Sequence, residues 1–328
     1  CRAAVKVLRR ILATKPKQGH QLLFRRRPDD APGSLTAVED GDGRLQTDAA
    51  GVRDATTEYF TRLLANVGAP RLGLYGDDDA YRKYPWQGPC ALDAFDLSAT
   101  GLGTAARAEA STNMDHALTG TRLFERRLQG LSTGKAPGPD GIPNELLKHA
   151  PAMFKQALHK YYIMLWYSKT NPCSISKTVL LHKKGDPTDL GNYRPIGLAN
   201  TMYKLYTSII TDMLSSMAET HQLLSSCQEG ARPYRNTVRQ LQMVATALED
   251  AKLHRQDLYA MWVDFASAFN TIDHDKLLQI MFDLGFPTLA IDNVRALYSH
   301  ACTVIQTPHG ATPPVPIERG TIQGDTLY

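Results

Sequence analysis

The chain has 328 residues, 43% hydrophobic and 21% charged, with a formal net charge of +4. That balance suits one or two folded domains and excludes wholesale disorder or a fibrous repeat. The longest apolar run, Tyr161 to Tyr167, is about a third of what a bilayer span needs, and no N-terminal segment resembles a signal peptide.

The charge is uneven. Cys1 to Pro28 holds nine Lys or Arg residues and no acid, and residues 29 to 58 carry eight acids against Arg44 and Arg53. A basic arm of this kind can follow a phosphate backbone, or simply be a solvated cationic tail. Asp29 to Gly43 is rich in Pro, Gly and Asp and reads as a linker, and residues 69 to 104 are similarly irregular. From Thr112, placed as a helix cap, Leu118, Phe124, Leu128 and Leu131 predict a helix. GKAPGPDGIPNELLK (134–148) is a stiff loop passing into a helix, with Pro143 suited to the first turn. Phe154, Leu158, Tyr162, Leu165 and Trp166 mark a further helix, and Thr178 to Leu181 a strand that enters the basic turn His182-Lys183-Lys184-Gly185-Asp186.

Met202, Leu205, Tyr206, Ile209, Met213, Leu214 and Met217 form an amphipathic stripe, a core face rather than a cofactor box, and Val238, Leu241, Ala245 and Leu248 predict another. Leu258 to Val263 reads as a buried strand stopping at Asp264. Asp273 is placed to cap a helix that ends at Gly285 and Pro287, and a second helix runs from Thr288 to Tyr298. Thr303 to Thr307 and Pro316 to Glu318 predict two strands around His309-Gly310. The order is α+β, without the strict alternation of a doubly wound parallel sheet.

Several chemistries are missing from the sequence. There is no G-x-x-x-x-G-K-[ST] loop, since Lys135 is followed by Ala136, and no G-x-G-x-x-G, G-x-S-x-G or H-E-x-x-H motif. The ten histidines show no metal-ligand spacing. The five cysteines, at 1, 90, 173, 227 and 302, fit neither a disulfide framework nor a zinc pair. They point to a reducing, intracellular setting, nuclear or cytoplasmic.

Three features remain. Asp264 follows an apolar strand in WVDFASAFNTIDH, and a carboxylate on a strand tip can hold divalent cations that orient a triphosphate. Lys183, Lys184 and Arg194 lie in LLHKKGDPTDLGNYRPIGL and can neutralise phosphates, Arg by bidentate contact. In ERGTIQGDTLY, Gly320 and Gly324 allow close backbone approach and Gln323 offers donor and acceptor. Each alone also fits a plain structural role: a helix cap, a basic surface turn, a tight turn.

Taken in order, GKAPGPDGIPNELLK, KKGDPTDLGNYRPIGLANTMYKL, QEGARPYRNTVRQL, VDFASAFNTIDHDKL and RGTIQGDTL closely resemble the reverse transcriptase of LINE-type (non-LTR) retrotransposons, over about residues 110 to 328. The resemblance implies helical fingers plus a partial palm of a right-hand polymerase in residues 96–328, behind an irregular helix-and-loop connector in 1–95. It implies an RNA-directed DNA polymerase that uses an RNA template, a DNA primer, dNTPs and two Mg2+ ions, with no membrane. Asp264 would be the first metal-binding aspartate and the catalytic one, with the Phe265 carbonyl as a neighbouring ligand. Phe269 would exclude a ribose 2′-hydroxyl, Lys183, Lys184 and Arg194 would grip the triphosphate, and Gln323 and Gly324 would line the nucleotide and template pocket.

Ser267, Asn270, Ala231 and Tyr328 stand where the family more often has Lys, Asp, Phe and Ser. The family's paired aspartates, downstream of the Q-G motif, do not appear before Tyr328. Cys1 in place of Met and an end inside a motif give the expectation of a piece of a longer protein, inactive by itself. The alternative is a non-catalytic nucleic-acid-binding remnant. An intron-type or telomere-type relative should lack the GKAPGPDG loop in this form.

Overall fold

The computed structural model describes residues 35–66, 101–265, 267–322, 324 and 327. The basic arm, most of the irregular stretch after residue 66, and Gln323 lie outside the described residues.

The first described elements are a two-stranded ribbon, β1 (Val38–Glu39) and β2 (Leu45–Gln46), followed by helix α1 (Ala49–Leu64). Asp48 starts α1: its carboxylate accepts from the Ala50 and Gly51 amides at 3.2 and 3.1 Å. Val52, Ala55, Phe60 and Leu64 fall on its buried side. This helix is additional to the elements expected from the sequence; Asp48 and that 3–4 spacing are its signal.

A helical layer follows: α2 (Thr104–Thr119), α3 (Thr121–Gly130), α4 (Asn144–His149) and α5 (Ala152–Ser168). The helix predicted to start at Thr112 is corrected here. It starts at Thr104 and is broken at Gly120, whose extended backbone (φ −71°, ψ 144°) ends α2 and begins α3. Helix α6 (Thr201–Thr220) runs through this layer with Leu205, Tyr206, Ile209 and Met213 buried, as its stripe predicts. Tyr206 donates to Asn293 Oδ1 at 3.0 Å, and Asn293 Nδ2 donates to the Trp166 and Leu289 carbonyls at 2.9 Å. Inside an apolar core these bonds offset the cost of burying a hydroxyl and an amide. Burial pushes the Tyr206 hydroxyl well above its ordinary pKa.

The sheet is built on β3 (Ile175–His182), flanked by β4 (Tyr193–Leu198) antiparallel and β5 (Cys302–Thr307) parallel. Two short strands, β6 (Gly310–Ala311) and β7 (Val315–Pro316), pair antiparallel with β5. Helix α1 covers one face: Phe60 and Leu64 share a buried cluster with Ala301, Ile305, Val315 and Ile317. Val52 and Ala55 join Leu190 and Tyr193 beneath the β3–β4 turn.

Two further expectations are corrected. Helix α7 (Thr237–His254) forms, with Asn236 as its cap, yet it buries no residue, and Leu241 is 67% exposed. Leu258 to Val263 is not a strand but irregular chain, with Trp262 78% exposed. A strand exists only beside a hydrogen-bonding neighbour, and no described segment runs alongside this one. Downstream, α8 (His274–Asp283) is capped by Asp273 as predicted, its Oδ1 accepting from Lys276 N at 2.9 Å, and α9 spans Thr288–Tyr298.

Candidate nucleotide-binding site

The β3–β4 turn is held by its own polar groups. Lys183 N–H donates to Asn192 O at 2.8 Å, and Asp186 Oδ1 accepts from Thr188 Oγ1 and N at 2.6 and 2.8 Å. These bonds hold the Asp186 carboxyl below the usual carboxylate range. Arg194 pairs across the ladder with Leu181. Strand alternation therefore puts Arg194 on the face that Lys183 continues. Lys183, Lys184 and Arg194 are all exposed, and none forms an ion pair among the described residues. The loop 134–143 is seated on the far end of the same hairpin: Thr201 Oγ1 donates to Ile142 O at 2.6 Å and Asp140 N to Asn200 Oδ1 at 3.2 Å.

Past Asp264 the chain turns sharply. Ser267 adopts a left-handed conformation (φ 52°) and opens a single 3-10 turn, Ala268–Asn270, with Asn270 buried and Phe269 43% exposed. The segment 319–322 folds onto this turn. Gly320 N donates to Ile272 O at 2.7 Å, Thr321 N donates to Phe269 O at 2.8 Å, and Gly320 O lies 2.7 Å from His274 Nε2. Gly320 (φ +83°) approaches so closely that a Cβ there would lie 2.6 Å from Asn270 O. Gly324 (φ +106°) sits against β4, where its Cβ would meet Gly197 O at 2.8 Å. Three separate motifs thus converge: the strand carrying Arg194, the turn carrying Phe269, and the glycine loop around 320–324.

His274 was set aside with the other histidines, yet it clamps the loop, its ring stacked on Tyr298 at 4.4 Å. Arg319 was also missed. Its position just before Gly320 was the available signal.

The QEGARPYR segment is tied back to α6 by a forked pair, Arg232 Nε and Nη2 to the Glu219 carboxylate at 2.7 and 2.8 Å. Ala231, in place of an aromatic residue, adopts φ 57°.

Asp264 and Phe265 are exposed. Among the described residues no group of three or more His, Cys, Asp or Glu is placed to hold a metal ion. One carboxylate and one carbonyl do not make up a divalent-cation site, which takes about six oxygen ligands. The residues described here do not fit the metal pair expected from the resemblance.

Residues 181–327 match the family model for reverse transcriptase (RNA-dependent DNA polymerase). This stretch is a reverse transcriptase domain. The chain is 25% identical over 237 residues to a Retrovirus-related Pol polyprotein from type-1 retrotransposable element R2 of Bradysia coprophila, covering 71% of this chain and 26% of that protein. It is 27% identical over 210 residues to a probable RNA-directed DNA polymerase from transposon X-element of Drosophila melanogaster, covering 60% of this chain and 22% of the relative. The RNA-directed DNA polymerase from mobile element jockey, from the same fly, is 25% identical over 207 residues, 59% of this chain and 22% of its own length. The reverse transcriptase domain therefore sits in a chain that spans about a quarter of the length of the relatives it matches. No helix among the described residues is long and apolar enough to cross a membrane.

Proposed function

We propose that residues 96–328 supply the fingers and part of the palm of an RNA-directed DNA polymerase of a non-LTR retrotransposon, with residues 1–95 as its connector. The observation that carries this reading is the convergence of β4, the Phe269 turn and the 320–324 loop. Thr321 N bonded to Phe269 O at 2.8 Å and Gly324 packed on Gly197 support it. In this reading Lys183, Lys184 and Arg194 bind the triphosphate of an incoming dNTP. Phe269 stands under its sugar and excludes a 2′-hydroxyl, and Gln323 and Gly324 line the pocket. Asp264 is the catalytic carboxylate. RNA template and DNA primer are the macromolecular partners, and the free thiols of Cys173, Cys227 and Cys302 are consistent with an intracellular setting.

Magnesium dependence is proposed for a form that also carries paired aspartates, because the described donors here are too few. Primer extension on an RNA template is the test. The 328-residue chain should give no product. A version extended to include paired aspartates should extend the primer, and its Asp264→Asn variant should lose at least about 100-fold in kcat. Activity within a few-fold of the parent would remove Asp264 from the mechanism.

Asp264 is exposed, with no further metal-ligating group beside it among the described residues, and this also favours a second reading for this chain by itself: a nucleic-acid-binding module without catalysis. Its affinity would then fall steeply with salt and would not depend on Asp264.

A further inference from the structure

Helix α1 ends where the glycine loop begins. Leu64 O accepts from the backbone amides of Glu318 and Arg319 at 3.0 and 3.2 Å, and Leu63 O accepts from Arg319 Nε at 2.9 Å. Asn66 N–H returns a bond to Glu318 Oε2 at 2.8 Å. The last carbonyls of a helix lack intrahelical partners and carry partial negative charge, so a guanidinium is a favoured cap. The cap here comes from 256 residues away in sequence, not from the helix's own flank. Arg319 also bridges to Asp273 through its backbone. The next residue, Gly320, is pinned to Ile272 and His274, and the one after it, Thr321, donates to the Phe269 carbonyl. Hydrogen bonds and the short covalent stretch 319–321 thus link the end of helix α1 to the backbone of Phe269. Leu64 and Phe60 also line the crevice that Asn270 and Thr321 share with β4.

We infer that Arg319 is a positioning residue through which helix α1 sets the placement of the Phe269 ring, and so the preference for deoxynucleotides over ribonucleotides. The inference rests on the gate role proposed for Phe269. A cap that only stabilised the fold would change the amount of active protein. A cap that places the gate changes what the active protein selects.

Two measurements separate these outcomes. In the 328-residue chain, hydrogen exchange of Arg319→Leu should speed up in both 61–66 and 319–322; deprotection confined to one of the two segments overturns the coupling. In the primer-extending version proposed above, Arg319→Leu should raise the KM for dNTP and lower dNTP-over-rNTP discrimination by about 5-fold or more, with kcat held within about 2-fold. Arg319→Lys keeps a donor within reach of the Leu63 carbonyl and should recover most of the discrimination. A fall in kcat with KM and discrimination unchanged shows a structural cap and overturns the inference. Phe269→Val is the control. If it leaves discrimination intact, the gate reading fails. If it relaxes discrimination and Arg319→Leu does not, the gate stands and the role of Arg319 falls.

Discussion

Gly320 leaves no space for a methyl group. Its φ of +83° lies in the left-handed region, and an added Cβ would be pressed to 2.6 Å from the Asn270 carbonyl. Gly320→Ala should therefore destabilise the chain by more than the roughly 1 kcal/mol that left-handed backbone alone costs a non-glycine residue. Urea unfolding that puts the variant within about 0.5 kcal/mol of the parent would contradict this. Asn270 is itself informative. The family resemblance places Asp at this position more often, and here the side chain is buried at 6% exposure. A neutral amide there avoids the larger desolvation penalty that a buried carboxylate would incur.

At the scale of elements, α1 depends on its first turn. The Gly51 amide, and to a lesser degree that of Ala50, hold the Asp48 carboxyl below the usual carboxylate range. A carboxyl whose folded pKa is depressed stabilises fully above its unfolded pKa and loses that contribution as pH falls through the folded value. Asp48→Asn can still accept a bond but no longer titrates. The parent should be the more stable of the two near about pH 6 and lose that advantage as pH falls below about 4. Parallel denaturant melts at the two pH values check this, and a gap independent of pH would refute it.

What the sequence revealed at this scale followed how local the interaction was. The Asp273 cap and the α6 stripe were legible because a helix closes its hydrogen bonds within itself. Its apolar spacing states which side is buried. The Gly120 break was missed because the apolar spacing runs on across it into α3. The strand expected at 258–263 and the buried face expected on α7 were misread for a different reason. An apolar run says only that a surface wants cover, and the cover is non-local. At the proposed site, the motifs single out Lys183, Arg194, Phe269 and Gly324. The clamps that bring those motifs together, His274 and Arg319, were not, because their bonds join positions far apart in the chain.

At the scale of the whole molecule, helix α1 is part of the core. Phe60 and Leu64 complete the cluster over β5 and β7, and Val52 and Ala55 support the β3–β4 turn. One helix therefore underlies both the turn that carries Lys183 and Lys184 and the loop that leads to Gly324. The opposite situation holds around Asp264. There Tyr259, Met261, Val263 and Phe265 are 90, 86, 66 and 74% exposed, and α7 buries none of its residues. Exposed apolar area on this scale marks a surface built to be covered. The 328-residue chain should accordingly bind a hydrophobic dye such as ANS in its folded state, and Met261→Lys with Val263→Lys should reduce that signal without lowering the melting temperature. A parent chain that binds no dye would show this surface to be already covered.

That exposure also supplies an optical probe. Trp262, two residues from Asp264, is 78% exposed, whereas Trp166 is 1% exposed in the helical layer. In a Trp86→Phe background, the red-edge, acrylamide-quenchable emission would come from Trp262 and the blue, protected emission from Trp166. Whatever comes to lie on the Asp264 segment, whether a protein strand or a nucleic acid, would be registered by a chromophore the chain already carries.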